Sequence, residues 1–221
     1  LFIRAMSSNI IPQIAKAVAQ QNKDYAFKLS QQALFLTSFF AFAVTAFFIA
    51  LSEPVAELLF PNFELGNLII AFSAGIPFYY IESILMSILR GLGDNTTPIV
   101  TALTTLFLTN PILFVLTAKT SMGIYGFSVA LITASAVAIC ISIRQIEKGF
   151  QRQFNMVEII LKPMACCLFM AFIMGEVFLP LVNLDFPRLL CIVAALILGL
   201  SGYLILALAL GIDLKSFRNR S

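Results

Sequence analysis

Glu82 is the residue whose type and position most invite chemistry. It stands in "FSAGIPFYYIESILMSILRG", a run that is otherwise apolar. A carboxylate in such surroundings is costly unless it faces a bundle interior, a wet cavity or a bonding partner. Helical spacing places Tyr79, Glu82 and Met86 on one face. Pro77, just upstream, lacks a backbone donor and favours a kink. Two readings stand side by side. Glu82 is either a cavity-lining acid, serving cation coupling or the polar groups of a substrate, or a carboxyl that ties one helix to its neighbour. A second group is hydroxylic. Thr97, Thr101, Thr104 and Thr105 fall within about 100° of arc at 3.6 residues per turn, and Asn110-Pro111 is expected to interrupt their helix at a flexing point. Such a stripe can line a hydrophilic cavity or satisfy helix–helix packing. Packing suits most of it, while Thr101 and Asn110 stay with Tyr79 and Glu82 as cavity candidates.

What is missing narrows the chemistry. The chain has no histidine, so neither a Ser-His-Asp nor a Cys-His site can form. There is no GxxxxGK[ST] phosphate loop, and "GLGD" at 91–94 is not GxGxxG. Cys140, Cys166, Cys167 and Cys191 lie in apolar runs without CxxC spacing, which argues against a metal site and suits small packing residues. No cofactor is expected, and a net charge of +3 suggests no nucleic-acid partner. An enzyme is excluded in favour of a machine that moves something.

The elements that would position these residues are membrane helices. Apolar residues make up 60% of the 221, charged residues only 11%, and the mean hydropathy is +0.98. A soluble domain carries about 25% charged residues. About 20 apolar residues cross a bilayer core. Six such runs occur, at 30–51, 67–90, 98–118, 122–143, 158–180 and 188–210. Residues 1–14 suit the end of a seventh span, and the polar, helix-prone 13–28 a surface connection. The expected fold is an all-α, polytopic transmembrane bundle. The chain begins at Leu1 with no signal-peptide pattern, and a fragment of a larger transporter is the expectation.

Of the 14 basic residues, all but Lys119 and Arg188 fall on one side of this layout. The positive-inside rule makes that side cytoplasmic, with both ends of the segment inside the cell membrane. The loop "SEPVAELLFPNFELGN", carrying Glu53, Glu57 and Glu64 and no base, then faces out. Glu176, near the outer end of its span, suits an interfacial place. "ILRGLGDNTTPIV" becomes a tight cytoplasmic hairpin. Gly91 and Gly93 permit positive φ there, Asn95 or Thr96 can cap the next helix, and Pro98 fits its first turn. Arg90 anchors the topology by snorkelling to headgroups. Gly126, Ala130, Ala134, Ala138 and Ser142 recur every four residues, forming a seam that admits close approach of another helix. Between Met164 and Ala209 the last two spans have no basic residue apart from Arg188 at an edge, and suit a peripheral, lipid-facing place.

In order and spacing, "SSNIIPQIAKAVAQQNKDYAFKLSQQALFLT", "LSEPVAELLF", "ILRGLGDNTTPIV" and "GIYGFSVALITASAVAICI" resemble the second half of the multidrug/oligosaccharidyl-lipid/polysaccharide exporter superfamily. Within it the chain is most similar to the polysaccharide-transporter and MurJ-like lipid II flippase branches, which include the stage V sporulation protein B type. The resemblance implies two pseudo-symmetric bundles around a cavity, with residues 1–147 running from the end of helix 8 to helix 12. Residues 148–221 would be the two added helices, 13 and 14. It implies a flippase for a lipid-linked oligosaccharide or peptidoglycan precursor. That substrate and membrane lipids would be its partners, with a possible coupling cation. Arg4 would be a cavity cation holding the diphosphate. The related drug exporters share an "RG-x-GD-x-x-x-P" signature, matched here by Arg90, Gly91, Gly93, Asp94 and Pro98. A cation-coupled multidrug exporter is therefore the alternative.

Overall fold

Backbone amides in a bilayer must be satisfied within the protein, which leaves helices or closed barrels as spanning elements. The computed structural model describes residues 2–59, 64–184 and 186–211, and for residues 2–7 and 64 the backbone alone. The described elements are all helical: α1 (Phe2–Ala19), α2 (Lys23–Ala50), α3 (Ser52–Leu59), α4 (Glu64–Ser73) and α5 (Ile76–Gly91). After them come α6 (Thr96–Ala118), α7 (Tyr125–Phe150), a π-helical turn (Val157–Leu161), α8 (Lys162–Asn183) and α9 (Arg188–Ala209). Six stretches are long and apolar enough to cross a membrane: Lys23–Ala50, Leu65–Gly91, Thr96–Ala118, Tyr125–Phe150, Val157–Asn183 and Arg188–Ala209. These are the six spans expected from hydropathy.

Three local expectations gain detail. Residues 13–28 are helical, as their composition suggests, except at 20–22, where α1 has ended at Ala19 and α2 has yet to start at Lys23. Gln21 turns the chain at φ 56°, and Asn22 Oδ1 accepts the Tyr25 amide at 3.0 Å. Within the outer loop, Ser52–Leu59 forms a helix of its own. The span expected over 67–90 is discontinuous: α4 ends at Ser73 and α5 resumes at Ile76, with Pro77 in its first turn. Proline there costs nothing, because a first-turn amide has no intrahelical partner. Thr45 Oγ1 donates to Ala41 O at 2.9 Å and reaches Ser73 O at 3.4 Å, a carbonyl at the break.

Contacts divide the chain into two units, Leu1–Ser38 with Pro77–Asn155, and Phe39–Ile76 with Met156–Ser221. In the first, Ile14, Leu34, Ile84, Leu85, Ile88 and Leu89 are fully buried. Ile14 explains Gly91. A Cβ at Gly91 would stand 3.0 Å from the Ile14 Cβ and 3.2 Å from the Ile11 carbonyl oxygen. Gly91 is therefore demanded by close approach, and only Gly93 takes the left-handed φ, at 82°. The α6–α7 hairpin closes the same way, with a Cβ at Gly126 meeting Leu116 Cβ at 2.8 Å. Ala130, Ala134, Ala138 and Ser142 are all fully buried, so the small-residue face of α7 is in contact along its length. At the far end of α7, Phe27 stacks on Phe154 (5.1 Å) and meets Phe150 edge-on (5.4 Å). Arg152 pairs with Asp24 at 2.7 Å and Glu147 accepts the Phe154 amide at 2.9 Å.

The helix start after the hairpin is capped one residue earlier than expected. Neither Asn95 nor Thr96 supplies the cap. Asp94 Oδ1 accepts the Thr96 amide at 3.0 Å and the Thr97 amide at 2.9 Å, and Oδ2 accepts the Thr97 hydroxyl at 2.6 Å. The Thr97 hydroxyl first, and then the Thr97 amide, hold the Asp94 carboxyl below the usual carboxylate range. A depressed folded-state value means that its stabilisation is complete above the ordinary aspartate range and is lost as pH falls through the lower folded value. Asp94→Ala should cost about 1 kcal/mol at neutral pH, lowering the thermal midpoint of the solubilised protein. The gap to wild type should close below the ordinary carboxylate range. Asp94→Asn, which still caps but does not titrate, should show no such convergence.

In the second unit, α8 and α9 pair along Ala195, Gly199 and Gly202. A Cβ on either glycine would collide with α8 side chains, Met174 Cγ for Gly199 and Ile173 Cδ1 for Gly202. Met170 and Met174 are fully buried beneath this stripe. Tyr203 donates to Phe39 O at 2.9 Å, and Arg188 at the start of α9 donates to Glu57 on α3. Cys166, Cys167 and Cys191 are buried, whereas Cys140 is exposed.

Candidate functional site

Glu82 sits on α5, part-buried, less than two turns after the α4–α5 break. Two neighbouring helices bring hydroxyls to its carboxyl, Ser135 from α7 and Thr105 from α6. The Thr105 hydroxyl donates to the Thr101 carbonyl at 2.9 Å. Ser135 was not anticipated. Its signal was available: Ser128, Ser135 and Ser142 recur every seven residues, two helical turns apart, and all three are buried.

The threonine stripe is mostly turned inward on its own backbone. Thr101 donates within α6 to Thr97 O (2.9 Å) and lies 3.3 Å from Met86 Sδ on α5; Thr104 donates to Val100 O (2.8 Å). Thr97 belongs to the Asp94 cap. Thr109 Oγ1, one residue before Asn110, is buried without a partner among the described residues. Asn110 and Pro111 do not interrupt α6, which runs unbroken from Thr96 to Ala118.

Of the candidates named from sequence, Thr101 reaches α5 at Met86, one turn along the helix from Glu82. Tyr79 is 64% exposed, with its ring 6.2 Å from that of Tyr80. Asn110 is exposed. Arg4 lies in α1, and its side chain is outside the described residues. Arg90 is exposed in the last turn of α5, where a cation also complements the helix dipole. Glu176 is exposed on α8.

Chemically, Glu82 with Ser135 and Thr105 is a carboxylate flanked by hydroxyls. It can hold a cation or accept hydrogen bonds from hydroxyl and amide groups. Among the described residues no group of three His, Cys, Asp or Glu side chains could hold a metal ion.

Comparison with known proteins bears on what such a site would serve. A family model described as lipid II flippase MurJ matches residues 1–185. A solved structure described as lipid II flippase MurJ, inward closed conformation, superposes with a TM-score of 0.74 at 20% identity, covering 97% of this chain and 44% of that one. At that identity the likeness speaks to the fold. The chain spans less than half the length of that protein. No curated protein matches the sequence.

Proposed function

Since this chain belongs to the lipid II flippase MurJ family, we propose that it is the C-terminal part of a flippase moving a lipid-linked saccharide precursor of the cell wall across the cell membrane. The family match over residues 1–185 carries this reading, and it does not favour the multidrug-exporter alternative. On the family pattern α1 is the end of helix 8, and the six spans are helices 9 to 14. The phosphate–sugar headgroup would pass through a cavity that opens alternately to the two sides, while the lipid tail stays in the bilayer. Bundles rocking about a midplane site, with discontinuous helices beside it, are a recurrent way of doing this.

The broken α4–α5 span suits that role, because the discontinuity lies at membrane depth, less than two turns before a carboxylate. Glu82 would accept hydrogen bonds from the saccharide or hold a coupling cation, with Ser135 and Thr105 orienting it. Arg4, by family position, would meet the diphosphate, since guanidinium groups bind phosphate in a bidentate way.

The charge asymmetry supports an orientation with both ends of the segment in the cytoplasm. In a full-length protein freed of native cysteines, Lys119→Cys should react with an impermeant thiol reagent added outside intact cells. Asn95→Cys and Gln153→Cys, at exposed positions, should react only after permeabilisation. The inverse pattern would overturn the orientation. The function itself is tested by whether the full-length protein rescues a strain depleted of its own lipid II flippase.

A further inference from the structure

The second unit contains a cavity of about 460 Å³ that plays no part in the site above. It lies where α2 and α8 end and α9 begins, which is the headgroup level of a bilayer. Its lining includes the apolar side chains of Ile49, Ile70, Phe178 and Val182. It also presents charge: Glu53 and Glu57 from successive turns of α3, and Arg188 from the start of α9. Arg188 directs Nη1 to Glu57, yet its side chain remains 59% exposed and its other donors stay available. Glu53 has no ion-pair partner among the described residues. Its position is set by Gly66, where a Cβ would stand 3.0 Å from Glu53 Cγ.

We propose that this cavity binds the headgroup and upper chain of a zwitterionic aminophospholipid. The ammonium would donate to Glu53, the phosphate would accept from Arg188, and the apolar side chains would take the first methylenes. The charges match in sign and order. A free carboxylate suits an ammonium that can donate hydrogen bonds, and an arginine already half-neutralised by Glu57 suits a phosphodiester with a single charge. A choline headgroup has the same net charge but no N–H to donate, and a glycerol headgroup has no cation. Hydrogen bonding to Glu53 therefore predicts selectivity for phosphatidylethanolamine over both.

The test is native mass spectrometry of the delipidated full-length protein, titrated with phosphatidylethanolamine, phosphatidylcholine and phosphatidylglycerol carrying the same chains. The wild type should retain phosphatidylethanolamine about tenfold better than phosphatidylcholine, the worth of a charge-assisted hydrogen bond. Glu53→Gln should bring the two to parity. Gly175→Leu fills the cavity from α8, where a Cβ meets no atom within 4 Å, and should lower retention of both. Glu53→Gln breaks no ion pair, and an unchanged thermal midpoint would show that it folds. A wild type without the preference, a Glu53→Gln protein that keeps it, or phosphatidylglycerol binding as well as phosphatidylethanolamine would overturn the proposal. Because the readout is lipid retention, it stands or falls independently of flippase activity.

Discussion

Glu82→Gln is expected to leave membrane abundance at the wild-type level while removing rescue of a flippase-depleted strain. Glutamine keeps the size of the side chain and an acceptor oxygen for Ser135 and Thr105, so the joint between α5, α6 and α7 should survive. What it loses is charge. A hydrogen bond to a charged group is worth about 1.5–3 kcal/mol net, against about 1 for a neutral pair. If Glu82 receives a cation or the polar face of the saccharide, the change should slow transport about tenfold or more. If it only ties helices together, glutamine should preserve both abundance and rescue, because an amide still bonds across helices. Normal rescue at normal abundance would therefore defeat the cavity role. Glu82→Leu discriminates less well, since it removes bonding and charge together and leaves two hydroxyls facing an apolar side chain.

The features legible in the sequence were those written in local period and composition. The spans follow from run length. The α7 seam follows from small residues every fourth position, each of which the fold buries. Pro77 marked an irregularity, although the outcome is a break just before it and not a kink within a continuous helix. The hairpin was readable but its roles were permuted. Asp, Asn and Thr can all cap, and which one does so depends on where the last turn of α5 ends. That is fixed by Gly91 pressing on Ile14, 77 residues earlier in the chain. Contacts of this range were not legible. Arg188 stood out only as an exception to the charge asymmetry, and its pairing with Glu57 spans 131 residues. Ser135 was hidden because a serine in a row of small residues reads as packing until another helix brings a carboxylate to it. The Ala195, Gly199 and Gly202 stripe carried a signal as clear as that of the α7 seam. Around it, the last two helices contain almost nothing polar that would set the stripe apart from lipid-facing surface.

Ala134→Leu is expected to reduce folded, membrane-inserted protein far more than Leu131→Ala, three residues away on the same helix. In water the larger loss would come from truncating leucine, since burying it contributes hydrophobic stabilisation. In a bilayer that term nearly vanishes, because lipid tails are as apolar as the protein interior. What remains is packing. Leu131 is half-buried, so its removal forfeits a few dispersion contacts that lipid can partly restore. Ala134 has no exposed surface, and it lies between Ala130 and Ala138, which are equally closed off. A leucine there must push the neighbouring helix outward or take a strained rotamer, a cost of about 1–3 kcal/mol in a well-packed interior. Displacing α7 would also carry Ser135 away from Glu82, so the surviving fraction should transport poorly. Abundance by quantitative blot and monodispersity after solubilisation measure the first effect, and rescue normalised to abundance measures the second. Equal abundance for both variants would mean that the small-residue face of α7 does not require close approach. Reduced abundance with full activity per molecule would separate the packing of α7 from the geometry at Glu82.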